Sequence, residues 1–111
     1  MTVATNVFDP AAFKQTTRRQ WDEAADAWNR WTPLLDKWLG PSTELMLDRM
    51  ELTQGSRVLD IAAGAGSQTL NAAKRVGPSG HVLATDLSAG ILKHAKANAD
   101  LAGIAHIETQ V

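Results

Sequence analysis

Cysteine is absent from the 111 residues, which removes both a disulfide framework and a thiolate zinc site. The three histidines, His81, His94 and His106, fall at no metal-ligand spacing, so no metal is expected. Neither sign of charge is in excess. The formal net charge is -1, and without clustered Lys and Arg there is no general pull toward nucleic acid or anionic lipid. No stretch approaches the roughly 18 apolar residues of a membrane span, and the opening MTVATNVFDP lacks the basic-then-apolar signature of a secretory leader. A cytoplasmic protein with no nucleic-acid partner and no membrane span is the expectation. Internal repeats and low-complexity segments are missing too. What is present, 44% apolar and 21% charged residues, is the mixture of a soluble domain with a single core.

Residues 1 to 12 mix Thr, Asn, Asp and Pro without a period and read as a flexible lead. Residues 13 to 55 read as a helical segment of three pieces. In the first, Phe13, Thr17, Trp21, Ala24, Ala25 and Trp28 recur at three- and four-residue steps, an aromatic stripe on one helix face extending to about Arg30. Pro33 suits the first turn of a second helix with Leu34, Leu35, Trp38 and Leu39 on its apolar side, stopped by Gly40-Pro41. Ser42 is placed to cap a third, with Leu45, Met46, Arg49 and Met50 as its half-buried face and Gln54-Gly55 as its close.

The pattern changes at Arg57. Val58, Leu59 and Ile61 form a short apolar run, expected to be a strand buried on both sides. A glycine-containing turn leads to a helix from Ser67 to Val76 with Leu70, Ala73 and Val76 facing inward, ended by Gly77-Pro78-Ser79-Gly80. A second strand spans His81 to Thr85. Ile91, Leu92, Ala95 and Ala99 then stripe a helix that ends near Leu101 and Gly103, and residues 104 to 111 open a third strand. Strand, helix, strand, helix, strand predicts an α/β fold with a parallel sheet and right-handed crossovers.

Chemistry concentrates at the first turn, Asp60-Ile61-Ala62-Ala63-Gly64-Ala65-Gly66-Ser67. Small residues let a ligand approach the backbone. The helix that follows offers unpaired N–H groups and a partial positive charge, so a carboxylate or phosphate can rest above Gly66 and Ser67. Asp60 and Asp86 close the first and second strands at the ligand-binding edge of such a sheet. Asp86 lies twenty residues beyond Gly66, the spacing at which an acid accepts hydrogen bonds from ribose hydroxyls. Carboxylates at these places also have structural uses, since Asp86 can cap a helix and Asp60, in a strand, needs a hydrogen-bonding partner wherever it points. The tryptophans Trp21, Trp28, Trp31 and Trp38 serve packing or cover the cleft, with Trp28 retained as a site residue. His94 and His106 have no neighbouring nucleophile or acid in the sequence that makes a catalytic relay, and the catalytic residue is left open.

VLDIAAGAG, then GHVLATDLS, then a helix and IETQV resembles the first three strands of the class I S-adenosylmethionine-dependent methyltransferases, over about half of the chain. The resemblance implies a Rossmann-like fold with S-adenosyl-L-methionine as cofactor. Its methionine portion would be held by Asp60, Ala62, Gly64, Ala65 and Gly66, and its ribose by Asp86 with Leu87 alongside. The commonest family loop has glycine where this chain has Ala62, a departure similar to the LAGGTG-like loop of the ubiquinone and menaquinone biosynthesis methyltransferases. Ala25-Asp26-Ala27-Trp28 is also similar to the Ala-x-x-Tyr pattern of that branch.

The family domain runs to about 200 residues or more, so the chain reads as the amino-terminal half of the fold: a helical lead, then a partial cofactor-binding domain over residues 56 to 111. Such a half is expected to be inactive alone, the full enzyme methylating a small molecule such as a quinone precursor. The first strand is central in the family's sheet, so its Val58-Leu59-Ile61 edge would be exposed and would favour a homo-oligomer. Two other readings stand beside this one. A nicotinamide-dependent oxidoreductase fragment would want a third small residue where Thr69 stands, and a non-catalytic assembly module would use the exposed edge alone.

Overall fold

The computed structural model describes residues 6–111. Its elements are α1 (Pro10–Arg49), β1 (Arg57–Ile61), α2 (Ser67–Val76), β2 (His81–Thr85), α3 (Ala89–Leu101) and β3 (Ile107–Gln110). The strands form one parallel sheet in the order β1-β2-β3, with Asp60 beside Ala84 and Leu83 beside Glu108.

The helical segment departs most from its sequence reading. In place of three helices there is one of 40 residues, about 60 Å long at 1.5 Å per residue, and it sets the molecule's 63 Å long axis. Its start reaches into the expected lead, because Asp9 accepts from the N–H groups of Ala11 and Ala12 and Pro10 occupies the first turn. Residues 1–5 of that lead lie outside the described residues. Pro33 and Pro41 are inside the helix. Each removes an N–H that Asn29 and Lys37, respectively, would have bonded. Both prolines are exposed, so water can reach the freed backbone, and the proline φ is itself helical. The helix ends at Arg49 and not near Gly55, with Met50 as C-cap and Glu51 at φ 51°.

The buried side of α1 also differs from the expected stripes. Ala25, Thr43 and Leu47 are buried, whereas Phe13, Leu45, Met46 and Met50 are exposed. Leu47 joins Ala72, Ala73, Val76, Val82, Ala99 and Ile107 in the core, with Leu52, Val58, Leu70 and Ile104 around it. Ala73 and Val76 of α2 and Ile91, Leu92, Ala95 and Ala99 of α3 are buried as their spacing predicts. Arg75 fastens α2 to the end of α1 through Asp48 and Glu44, each at 2.6 Å.

The sheet is covered on the Val58-Val82-Ile107 side. Its other side is open, with Leu59 58% and Ile61 74% exposed. The expectation that β1 is buried on both sides is therefore corrected: α2 covers one face, and among the described residues no element pairs with its outer edge or lies on its other face.

Replacing Pro41 with Ala restores the N–H that bonds the Lys37 carbonyl and removes a helix-interior proline, a gain of about 1–3 kcal/mol. Thermal unfolding followed by far-ultraviolet circular dichroism should show a higher midpoint for Pro41→Ala with unchanged or greater helicity. A lower midpoint would mean that a bend at Pro41 is needed for α1 to reach both α2 and α3.

Candidate cofactor site

The turn from β1 to α2 reverses sharply because Ala62, Gly64 and Gly66 all take left-handed backbone, at φ 60°, 60° and 93°. Gly66 has a second reason to lack a side chain, since a Cβ there would lie 3.1 Å from the Ala95 Cβ and 3.2 Å from the Ala95 Cα. That close approach seats the loop on α3. Ala62 takes the same backbone region with a methyl group, at a cost of about 1 kcal/mol, so the departure from glycine carries strain but no loss of fold. Two bonds draw the loop toward the end of β2: Ala63 N–H to the Thr85 carbonyl (2.9 Å) and Gly64 N–H to Asp86 Oδ2 (3.0 Å).

Asp86 bridges two turns. Its second oxygen, Oδ1, accepts the Ser88 N–H at 3.0 Å. Each carboxylate oxygen retains acceptor capacity beyond its single backbone bond, and Asp86 lines an open cleft of about 660 Å³. Leu87 and Ile91 line the cleft beside it, and Ala62, Gly64, Ala65 and Ser67 form its floor. Helix α2 begins at Ser67 with Gly66 as N-cap and no side chain bonded to its first turn, so its N-terminal N–H groups are free of a side-chain cap.

Asp60 is placed differently. It does not line the cleft but lies behind the loop, where Oδ2 accepts from the Thr69 hydroxyl at 2.6 Å. Burial pushes its carboxyl above the usual carboxylate range. The Thr69 hydrogen bond opposes the rise and the nearby charge of Asp86 adds to it. Thr69 is buried and its hydroxyl is committed to Asp60, which accounts for a threonine where a nicotinamide fingerprint would have a small third residue.

Trp21 and Trp28 form the opposite wall. Their rings meet edge to face, with centroids 5.4 Å apart at 86°. The Trp28 indole nitrogen stands over Gly64, 3.6 Å from the position a Cβ would take. Trp28 thus joins the loop and Asp86 around one cleft, whereas Trp31 and Trp38 are exposed on α1 and do not line it. Leu35 and Leu39 continue this apolar wall. Asp36 and Asp86 line the cleft and no Lys or Arg does.

A second set of residues, not singled out in the sequence, fixes α1 against α3. Arg18 Nε donates to the Leu87 carbonyl (3.2 Å), Asp22 accepts from the Ser88 hydroxyl and the Gly90 N–H (3.1 Å), and His94 Nε2 meets Asp26 at 2.7 Å. Asn98 bonds both Asn29 (3.0 Å) and the Ala65 carbonyl (2.9 Å). Residues 18, 22, 26 and 29 recur once per helical turn and form a polar ladder. The bonds from Ser88 and Gly90 hold the Asp22 carboxyl below the usual carboxylate range. His94, unassigned to catalysis in the sequence, is a rung of this ladder, and His106 donates from Nε2 to the Ala73 carbonyl (2.8 Å). Among the described residues, no group of three His, Cys, Asp or Glu is arranged to hold a metal, and no helix is long and apolar enough to cross a membrane.

Comparison with known proteins matches residues 52–111 to the family model described as a methyltransferase domain. An uncharacterized protein of Mycobacterium tuberculosis is 32% identical over 104 residues, covering 94% of this chain and 35% of that protein. Aklanonic acid methyltransferase of Streptomyces sp. (strain C5) is 28% identical over 101 residues, 91% of this chain and 44% of the relative. A shorter match, 51% over 39 residues, links 35% of the chain to 15% of the ubiquinone/menaquinone biosynthesis C-methyltransferase of Pseudomonas paraeruginosa. Among solved structures, a SAM-dependent methyltransferase from Aquifex aeolicus superposes with a TM-score of 0.57 at 25% identity, over 94% of this chain and 47% of that one. The chain thus spans less than half the length of these relatives. The family match takes in all three strands and the glycine turn, and the chain belongs to the class I S-adenosylmethionine-dependent methyltransferases.

Proposed function

We propose that this chain is the cofactor-binding half of a cytoplasmic S-adenosylmethionine-dependent methyltransferase that acts on a small molecule. The observation that carries the reading is Asp86. Its carboxylate is fixed by the N–H groups of Gly64 and Ser88 at 3.0 Å each and faces the cleft from the end of β2. In this reading Asp86 accepts from the ribose hydroxyls and Leu87 packs on the adenine. The Ala62-Gly64-Ala65-Ser67 floor and the first turn of α2 receive the methionine carboxylate, and Gly66, which does not line the cleft, serves by letting the loop close on Ala95. Asp60 sets the negative field behind the loop that favours the ammonium group, and Trp28 covers the sulfonium side. The charge of the cleft fits: two carboxylates and no Lys or Arg line it, which suits a ligand bearing sulfonium and ammonium cations and does not suit a nicotinamide cofactor's pyrophosphate.

A cofactor held by Asp86 and the glycine turn would supply a methyl group on a sulfonium sulfur for bonding to a lone pair of the acceptor, the sulfur keeping the electron pair of the broken C–S bond. The chain's own contribution is orientation and water exclusion, which lower the barrier of such a displacement without a covalent step. No residue of the cleft is assigned as a base. The α1 wall of Trp21, Trp28, Leu35 and Leu39 is apolar and favours a flat, uncharged acceptor. A quinone precursor suits that wall, and the matches to the quinone and aklanonic acid enzymes support it. We also assign the open β1 edge, with Leu59 and Ile61, to self-association of this chain.

Three measurements test these assignments. Calorimetric titration with S-adenosylhomocysteine should show binding by the chain and at least a tenfold loss in Asp86→Ala, about 1.4 kcal/mol or more. Absence of binding by a folded sample would leave a structural role for the fragment. For Asp60, the raised carboxyl means that ionisation costs the folded state above its pKa and costs nothing below the unfolded value. Asp60→Asn keeps an oxygen for Thr69 and should therefore raise the melting temperature near neutral pH. This advantage should vanish in acid, where wild-type Asp60 is protonated, and cofactor affinity should fall in the variant near neutral pH but match wild type in acid; equal melting temperatures at neutral pH would contradict the assignment. Sedimentation over a wide concentration range should show a dimer or larger species, and a monomer at every concentration would exclude pairing through β1.

A further inference from the structure

We propose that Asp22, which does not line the cleft, positions the ribose-binding carboxylate Asp86 through Ser88 and so makes α1 a working part of the cofactor site. The inference deepens the reading of Asp86 given above and rests on it for its ligand.

The bonds form a chain through four segments. Asp22 Oδ1 on α1 accepts from the Ser88 hydroxyl and from the Gly90 N–H (3.1 Å). The Ser88 oxygen in turn accepts the Ile91 N–H (3.1 Å), capping α3, and the Ser88 backbone N–H donates to Asp86 Oδ1 (3.0 Å). From Asp86 Oδ2 the chain reaches the Gly64 N–H (3.0 Å) in the glycine turn. Ser88 is 0% exposed. Asp22 itself is solvent-exposed, so its removal replaces a charged acceptor fixed on α1 with water, which satisfies the hydroxyl but does not tie the Ser88 turn to the helix. The turn carrying the Asp86 bond then loses two of the contacts that hold it.

The approach of α1 is close by construction. A Cβ on Gly90 would lie 3.1 Å from Asp22 Oδ1 and 3.6 Å from the Asp22 Cα, so the residue at 90 sets how near the helix comes. Arg18 reaches the Leu87 carbonyl one helical turn earlier, so both residues between Asp86 and the start of α3 are gripped from α1. Asp26 and His94 form the next rung, but their contact does not lead to Asp86. The two neighbouring rungs therefore separate general helix docking from positioning.

The experiment has a ligand-free arm and a ligand arm. In the free chain, amide hydrogen exchange at Gly64, which lies on the far side of Asp86 from Asp22, should rise about tenfold in Asp22→Ala. It should stay near wild type in Asp26→Ala and in Asp22→Asn, whose remaining oxygen can accept the same two bonds. Gly90→Ala, which keeps Asp22 but displaces it, should reproduce the Asp22→Ala result and serves if that variant does not fold. Unchanged Gly64 protection in whichever of these two variants folds overturns the proposal.

In the ligand arm, S-adenosylhomocysteine is compared with its 2′-deoxyribose analogue. Wild type should prefer the ribose form, and Asp22→Ala should bind it about tenfold more weakly with that preference reduced. An equal weakening of both compounds would mean that Asp22 only stabilises the fold and would overturn the positioning role. If wild type binds neither compound while Gly64 protection still falls in Asp22→Ala, the positioning chain stands and the cofactor reading fails.

Discussion

The carboxylate of Asp86 is the constraint on which the site depends. It is held by one N–H from each of two strand-to-helix turns, Gly64 in the first and Ser88 in the second. Two turns separated by a whole helix are thereby locked at one distance. The left-handed geometry at Ala62, Gly64 and Gly66 follows from the need to bring the Gly64 N–H to Asp86 while seating Gly66 against Ala95. Ala62 shows that this need outweighs local preference, since it accepts a strained backbone with a Cβ present. The parallel pairing of β1 with β2, Asp60 opposite Ala84 and Ile61 opposite Thr85, brings the two strand ends level, so both turns open on the same edge.

Most of the β/α half was legible because its signals are local. A glycine precedes each strand, and Ile91, Leu92, Ala95 and Ala99 carry their own period; β1, α2 and β2 fall on the residues that the pattern indicates. The places of Gly64 and Gly66 in the first turn and of Asp86 at the end of β2 were readable for the same reason, being set by spacing within one unit. The helical lead failed where a local rule met a non-local circumstance. Pro33 reads as a helix start and Gly40-Pro41 as a stop, yet the prolines face water and the chain continues through both. Burial of β1 was misjudged because the apolar run Val58-Leu59-Ile61 cannot say whether a second layer is present to cover it.

The hardest feature to read was the packing of α1. An amphipathic helix is expected to bury its apolar stripe, but here the contact with α3 is a polar ladder of Arg18, Asp22, Asp26 and Asn29 around the buried Ala25. Each rung has its partner about 70 residues away, so no window along the chain contains both halves. The arrangement explains the aromatic content of the helix. Because polar groups hold α1 in place, Trp21 and Trp28 need not be buried for stability and are left to form a wall of the cleft.

Asp60 and Thr69 show the opposite relation between stability and site. A carboxylate at the end of a half-buried strand, with Asp86 nearby, has its ionised form disfavoured by burial and by like charge together. A neutral side chain of the same shape would relieve both while keeping the Thr69 bond. The ligand-free fold therefore gives no reason for a charge at this position. The positively charged ligand proposed for the cleft would supply one, because it lowers the cost of ionising Asp60.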